Sequence, residues 1–391
     1  MALFPAYAPE FRLRINGDDL PAVVRATVTS VRYQDGQNAA DRVEVGFANP
    51  DLRWLQNHIR GLGFSPPTGI KIGPVRALEA APDGTFDIDN KLELSIGYAP
   101  DPLADVFVGD VTGVSVSFPN GGMPSLNLVA HDRLQRLAEG KRARTFGFIP
   151  DAIVAAILAA ENLLIPAIDP TVAAASVLKQ ALGLVTSGPG GMRQGSESDL
   201  SLLQRIAMEY DADFWVEGDV VYLSRFVKEY EPRLALTWGE SLLDFSPRMS
   251  TVGQVAAVTM RFTLREIPFT FSVTVGWDFD RESVSISVFP GGDFAGFSGP
   301  GDTTIDRPIR TPLDVAANAL VIYRKLREKL NNRLTGSGSA IGDPRIRAGA
   351  VIRLEGLGPD FSGDYRVKSA THSLDGGGYK TSFEVFKEIL P

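Results

Sequence analysis

The chain reads as an α+β protein that is mainly β. Three observations predict this. Short alternating or β-branched runs fill both ends of the 391 residues, and turn signals separate them. Between them lies a stretch rich in Ala, Leu and Ile at helical spacing. The 39 Gly and 26 Pro supply the many turns that a β-rich fold needs. The length is too great for one ordinary core and implies two or three domains at about 100–200 residues each. The changes of character place them at 1–132, 133–233 and 234–391.

In the first region, strands are predicted at Phe11–Ile15, Val23–Val31, Val43–Phe47, Lys91–Tyr98, Val106–Phe118 and Ser125–Ala130. Asn16-Gly17, Pro66-Pro67, Asp83-Gly84 and Asn120-Gly121-Gly122 punctuate them. Many short strands spaced by turns argue for a barrel or a sandwich. Helices are predicted at Asp151–Leu164 and Thr171–Leu182, followed by a Ser187–Gly191 link. Ser196 with Asp199 three residues on reads as a helix start. From there Leu200, Leu203, Ala207 and Tyr210, flanked by Leu202 and Ile206, mark one buried face. Phe214–Val216 and Val220–Leu223, split by Glu-Gly-Asp, read as a tight hairpin, with Leu203 and Ile206 packed beneath it.

Strands resume at Arg233–Trp238, Gln254–Thr263, Thr270–Trp277 and Ser283–Val288. Pro290–Gly301 reads as a low-complexity loop. Thr311 then caps a long helix over 312–334, with Pro312 in its first position and a basic end. Gly336–Gly342 reads as the helix stop and connector, and strands Val351–Leu354, Tyr365–Thr371 and Tyr379–Phe386 close the chain. No internal repeat is visible.

Composition excludes several functions. Net charge is −8 with scattered Lys and Arg, so no basic patch for nucleic acid is present. Without cysteine there is no disulfide frame, thiol nucleophile or thiolate metal site. Met1–Pro5 lacks the basic start and apolar run of a signal peptide. The apolar stretch Phe148–Ile168 is interrupted by Asp151, Glu161, Asn162 and Pro166, which argues against a membrane span. His58, His131 and His372 are far apart, and neither His-Glu-x-x-His nor Gly-x-Ser-x-Gly occurs. His372 reads as a packed structural residue. Gly336–Gly342 lacks the Gly-Lys-Ser/Thr ending of a phosphate loop. Asp211, Asp213, Glu217 and Asp219 miss the calcium-loop pattern and read as a solvated hairpin tip. Neither a catalytic residue nor a metal or cofactor ligand is predicted.

Two segments carry a family resemblance. In the first, Glu197-Ser198-Asp199-Leu200, then Leu203 and Arg205, precede the aromatic strand containing Trp215. Leu202 stands where an aromatic is common. In the second, Gly342–Gly358 contains Gly349 and Gly356, and Gly363, Tyr365, His372 and Tyr379 follow. Together these resemble the baseplate hub family of contractile phage tails and injection systems, which includes phage late control D proteins and the hub part of VgrG spike proteins. The matches cover roughly the C-terminal half of the chain. The resemblance implies two β-barrel-like hub domains flanking a helical/mixed insertion, assembled as a homotrimeric ring. It further implies a structural role: adapting a sixfold inner tube to a threefold spike, in a particle assembled from protein made in the bacterial cytoplasm. VgrG chains continue into a needle, whereas this one stops at Pro391, so the spike is expected to be a separate polypeptide. Expected partners are that spike, the inner tube or its initiator, and other baseplate proteins, with no membrane insertion and no specific nucleic-acid binding. A tail-tip cell-wall hydrolase and a cargo- or receptor-binding tail protein are the alternative readings.

Overall fold

The computed structural model describes residues 8–48, 85–187, 191–224, 231–249, 257–264, 269–278, 283–290, 301–309, 331 and 333–388. It is mainly β with antiparallel sheets, as the sequence predicts. The first region supplies β1 (Ala8–Ile15), β2 (Asp18–Asp19), β3 (Val28–Gly36), β4 (Arg42–Ala48), β5 (Lys91–Ala99), β6 (Ala104–Ser117) and β7 (Ser125–Asp132). Alternation sets their faces: Val43, Val45 and Phe47 of β4 and Leu126, Leu128 and Ala130 of β7 are all fully buried. The inward side chains of these strands meet in one core, so the sheet curls around it.

The middle region adds β8 (Arg142–Thr145), β9 (Ile165–Ile168), β10 (Arg193–Glu197), β11 (Asp213–Glu217) and β12 (Val220–Ser224). Helices Leu134–Ala138, Asp151–Glu161, Pro170–Ser187 and Asp199–Tyr210 accompany them. Leu203 and Ile206 share a core with Phe214 and Leu223 of the β11–β12 hairpin. No described helix is long and apolar enough to cross a membrane.

The last region holds β13 (Leu234–Thr237), β14 (Leu242–Met249), β15 (Ala257–Leu264), β16 (Phe269–Asp278), β17 (Ser283–Pro290) and β18 (Gly301–Ile309). It closes with β19 (Leu334–Ile341), β20 (Val351–Glu355), β21 (Gly363–Asp375) and β22 (Gly378–Phe386). Strands β15 to β18 form a separate four-stranded sheet. The others join the first region in one 13-stranded sheet, ordered β14-β19-β22-β21-β3-β4-β7-β6-β5-β1-β2, with β20 and β13 branching from β21. Strand β21 is shared. Its first residues pair with β20, and Ser369–Leu374 pair antiparallel with β3. Two curled halves, each with its own core, are therefore joined edge to edge. Hydrogen bonding among the described strands closes no barrel.

Several expectations are corrected. Val23–Val31 is not one strand. Pro21 opens a helical turn at Ala22–Arg25, and β3 begins only at Val28. Helix Asp151–Glu161 stops earlier than predicted: Leu163 takes φ 60°, and the apolar run continues as β9, hydrogen-bonded to β12. Ser196 has φ 56° in an irregular β10, and Ser198 caps the following helix. Pro290 and Gly301 lie in β17 and β18; the loop between them is outside the described residues. The long helix predicted over 312–334 lies outside them through residue 330, and Leu334 belongs to a strand. Gly336–Gly342 is no connector, since Gly336–Ile341 lie in β19 between β14 and β22. Its glycines make room for rings. A Cβ on Gly336 would sit 2.4 Å from the Phe245 ring, and one on Gly342 2.1 Å from that of Tyr379. Strands β2, β8, β10, β14 and β18 have no counterpart in the prediction.

Two stability outcomes follow from this packing. Leu203→Ala removes a side chain with 1% exposure and is expected to destabilise by roughly 2–5 kcal/mol in urea unfolding. Gly342→Ala must displace Tyr379, and a lowered melting temperature, equivalent to about 1–3 kcal/mol, is expected. Unchanged melting of either variant would place that residue outside the packed structure.

Candidate functional site

The first motif builds a buried polar node at a helix start. Ser198 is extended (φ −71°, ψ 160°), and its Oγ accepts the Ser201 N–H at 3.1 Å. Asp199 follows in the first turn and is only 3% exposed. Its carboxylate accepts Gln194 Nε2 at 2.8 Å, Arg144 Nη2 at 3.1 Å and Asn162 Nδ2 at 3.1 Å, and Arg142 Nη1 lies 3.2 Å away. One acid thereby fastens β8, β10 and the end of helix Asp151–Glu161 to the signature helix. Glu197 accepts Arg205 Nη2 at 2.6 Å, and the same nitrogen donates to the Arg193 carbonyl. Leu200 borders the core that Leu203 enters. Trp215 stacks on Tyr222 with centroids 5.0 Å apart and donates Nε1 to Glu217.

The second motif lines the join between the curled halves. Gly349 (φ 82°) donates its N–H to the Val367 carbonyl and accepts Arg366 Nη1. Gly356 (φ 79°) packs on Trp238, and Gly363 takes φ 130° at the start of β21; left-handed values like these favour glycine at all three positions. Tyr365 is fully buried and donates its hydroxyl to the Phe361 carbonyl at 2.7 Å.

His372 pairs across the sheet with Tyr33 of β3 and stacks on its ring at 5.6 Å. Nε2 lies 3.0 Å from the Ile346 carbonyl, which can only accept, so Nε2 carries the hydrogen. Nδ1 then accepts from the hydroxyls of Tyr379 at 2.8 Å and Thr381 at 3.1 Å. Burial pushes the imidazole down to about 4, with the Arg347 charge adding to it.

Sequence reasoning missed the polar junction beside this stack. Asp35 Oδ2 accepts Arg347 Nε at 3.1 Å and the Ala348 N–H at 3.0 Å. Arg347 Nη2 donates to the Tyr33 hydroxyl at 2.7 Å, and that hydroxyl donates to Asp41 Oδ2 at 2.7 Å. Asp132 accepts the Leu134 N–H at 3.0 Å. Asn38, in the β3–β4 turn, donates to Asp213 and accepts the Phe214 N–H. Asp213 is thus a clasp residue rather than a solvated tip, and Asp219 pairs with Arg133. The signal was available: Asp35 continues the inward phase of Val31 and Tyr33, and Asp132 that of Leu128 and Ala130.

A cleft of about 460 Å³ opens here, with Asp35, Asp41, Asp132, Trp215, Arg347 and Gly349 among its lining. Trp215 and Gly349, one from each motif, therefore share it, and His372 and Tyr379 touch each other. Glu197, Ser198, Asp199 and Arg205 form their own node, while Gly356, Gly363 and Tyr365 lie along the second half. Among the described residues, no group of three or more His, Asp or Glu could hold a metal ion. The geometry fastens elements together and can store a proton.

Stability should record the neutral His372. Its proton affinity is lowered in the folded state, so its contribution is complete above the unfolded value near 6.5 and is lost as pH falls through about 4. Denaturant titrations at stepped pH are expected to show roughly 3 kcal/mol lost over this window, beyond the loss seen in His372→Asn. Equal pH slopes in the two proteins would contradict the assignment.

No protein-family profile and no curated protein sequence matches this chain. Solved structures do match. A tail protein from Neisseria meningitidis MC58 aligns at TM-score 0.58 and 12% identity, over 97% of both chains. The 43 kDa tail protein of prophage MuSo2 from Shewanella oneidensis aligns at 0.56 and 10% identity, over 97% of this chain and 98% of the other. The E. coli c3393 protein is a type VI secretion component with structural similarity to the T4 tail proteins gp27 and gp5. It aligns at 0.53 and 12% identity, over 95% of this chain and 76% of its own. From end to end, the chain has the fold of phage tail and type VI secretion proteins.

Proposed function

We propose that this protein is a structural hub in the baseplate of a contractile phage tail or tail-like injection particle. The observation that carries the reading is the fold match over 97% of this chain and 97% of a tail protein. The two sequence motifs that resemble the hub family support it independently. Its three parts are 1–132, 133–233 and 234–391, the outer two being the curled β halves. Glu197, Ser198, Asp199, Leu200, Leu203, Arg205 and Trp215 frame the middle part, and Gly349, Gly356, Gly363, Tyr365, His372 and Tyr379 frame the last.

The mechanism rests on symmetry. Closed rings need matching surfaces on every subunit, so a sixfold tube cannot seat directly on a threefold spike. Three copies of a chain with two curled β halves present six halves to the tube and three identical faces to the spike. Pairing of β21 with β3 supports this role, because it holds the two halves of one chain at a set spacing. The middle part then faces neighbouring baseplate proteins. Function resides in interfaces rather than catalysis, and the net charge of −8 disfavours adhesion to nucleic acid passing through.

Native mass spectrometry of the purified chain, alone and with its spike and tube proteins, is expected to give a homotrimer. A monomer or hexamer persisting with those partners present would overturn the adaptor reading. Cell-wall lysis by the pure protein would instead favour the hydrolase.

A further inference from the structure

Asp35, Asp41 and Asp132 line one cleft where residues from all three parts of the chain meet. The guanidinium bonded into this group is that of Arg347, 3.1 Å from Asp35 and 3.8 Å from Asp41. Asp132 is fixed from the opposite side, its N–H donating to the Asp41 carbonyl at 3.0 Å. With all three acids ionised, three negative charges would face one positive charge. Asp35 and Asp132 are each less than a tenth exposed, so water relieves little of that excess. Burial and the neighbouring Asp35 and Asp132 charges raise Asp41 well above the carboxylate range, and burial pushes Asp132 up to about 7.

Among the described residues, neighbouring elements bond no second cation to these acids. Arg133 pairs with Asp219 and Asp110, Arg136 also bonds Asp110, and Arg366 bonds Glu388 and the Gly349 carbonyl. Arg233 also lines the cleft, as do the acids Asp105, Asp213 and Glu217. Asp105 accepts from Ser95, Asp213 from Gln37 and Asn38, and Glu217 from Trp215. His372, stacked on Tyr33, is neutral at physiological pH and contributes no charge.

Strand β3 and the turn after it, which carry Asp35 and Asp41, grip both other parts. Asp35 and Tyr33 hold Arg347 on one side. On the other, the Asn38 amide donates to Asp213 at 3.2 Å and accepts the Phe214 N–H at 2.9 Å, and its carbonyl accepts Gln204 Nε2 at 3.4 Å. We propose that the junction is a proton-held latch: one proton retained by the Asp41–Asp132 pair keeps the β3–β4 turn clamped to Arg347 and to the β11–β12 hairpin, and its loss releases the grip. The protonated junction binds the middle part firmly; the ionised one lets it move relative to the joined β halves.

The direction follows from linkage. The closed junction holds its proton up to about pH 7, whereas an opened, hydrated carboxyl releases it near 4. Closure is therefore favoured at low pH, weakens as pH rises through this window and is constant above it.

Hydrogen exchange of the full-length assembled protein, corrected for intrinsic rates, tests this at pH 5 to 8. Opening of amides in 36–41 and 213–217 is expected to rise by up to tenfold per pH unit between 5 and 7, then level off. Asp132→Asn retains an oxygen for the Leu134 N–H and removes one of the two titrating carboxyls, so the rise of its opening with pH should be reduced, and in the Asp41→Asn, Asp132→Asn double variant it should be absent. Asp41→Asn provides the same comparison if Asp132→Asn fails to fold. PH-independent opening of the parent protein, or the parent slope persisting in the folded variants, would overturn the latch.

Discussion

The pairing of β21 with β3 is the constraint on which the rest of this structure depends. Six residue pairs, from Ser369↔Gly36 to Leu374↔Val31, connect strands that lie more than 300 positions apart in sequence. Each backbone hydrogen bond contributes only about 0.5–1.5 kcal/mol net, so the ladder alone is modest. Its larger effect is to fix register. The pairing sets His372 opposite Tyr33 and brings Leu374 and Tyr379 into the core of the first half. A slip of one residue would turn His372 to solvent and bury its polar neighbours.

Register also explains where the polar groups lie. With Tyr33 fixed, Asp35 comes within reach of Arg347, and Asp41 within reach of the Tyr33 hydroxyl. Two polar devices act on the middle part: the Asn38 clasp ties it to the first half, and the Asp199 node ties its own elements together. Apolar burial gives each part its core but little direction, because hydrocarbon contacts tolerate sliding. Buried hydrogen bonds do not, since a displaced partner leaves an unsatisfied group costing about 1–3 kcal/mol. Packing therefore stabilises the parts, and polar networks at the seams set how they fit.

This division explains what was legible in the sequence. Alternation along β4, β7 and β22 is local, so those strands can be read directly. The signature helix was also legible, because its buried face repeats at helical spacing, although its cap is Ser198 rather than Ser196. Strand β19 was hidden: Leu-Thr-Gly-Ser-Gly-Ser-Ala-Ile has the composition of a connector, and the aromatic rings that need its glycines come from Phe245 and Phe383. Val23-Val24 carried a strand signal, but Pro21 and the tertiary setting made a helical turn. Of the junction, only the inward phase of Asp35 and Asp132 was written locally. Arg347, its counter-charge, lies 312 residues away from Asp35.

The proposed hub role needs rigidity within each β half and confines freedom to the seams. The arrangement satisfies this in a specific way. The joined sheets are held by continuous backbone pairing, which ordinary pH does not titrate. The middle part is attached differently, through the Asp132–Leu134 connection, the bonds of Arg133 and Arg136 to Asp110 and the side chains of one turn. Any signal that alters charge at the junction therefore acts on the middle part first and leaves the paired sheets intact. Stability here is unevenly distributed, and the weaker attachment coincides with the part proposed to meet other baseplate proteins. In the proposed assembly the paired sheet would bear load, and the turn between β3 and β4 would set how tightly the middle part is held.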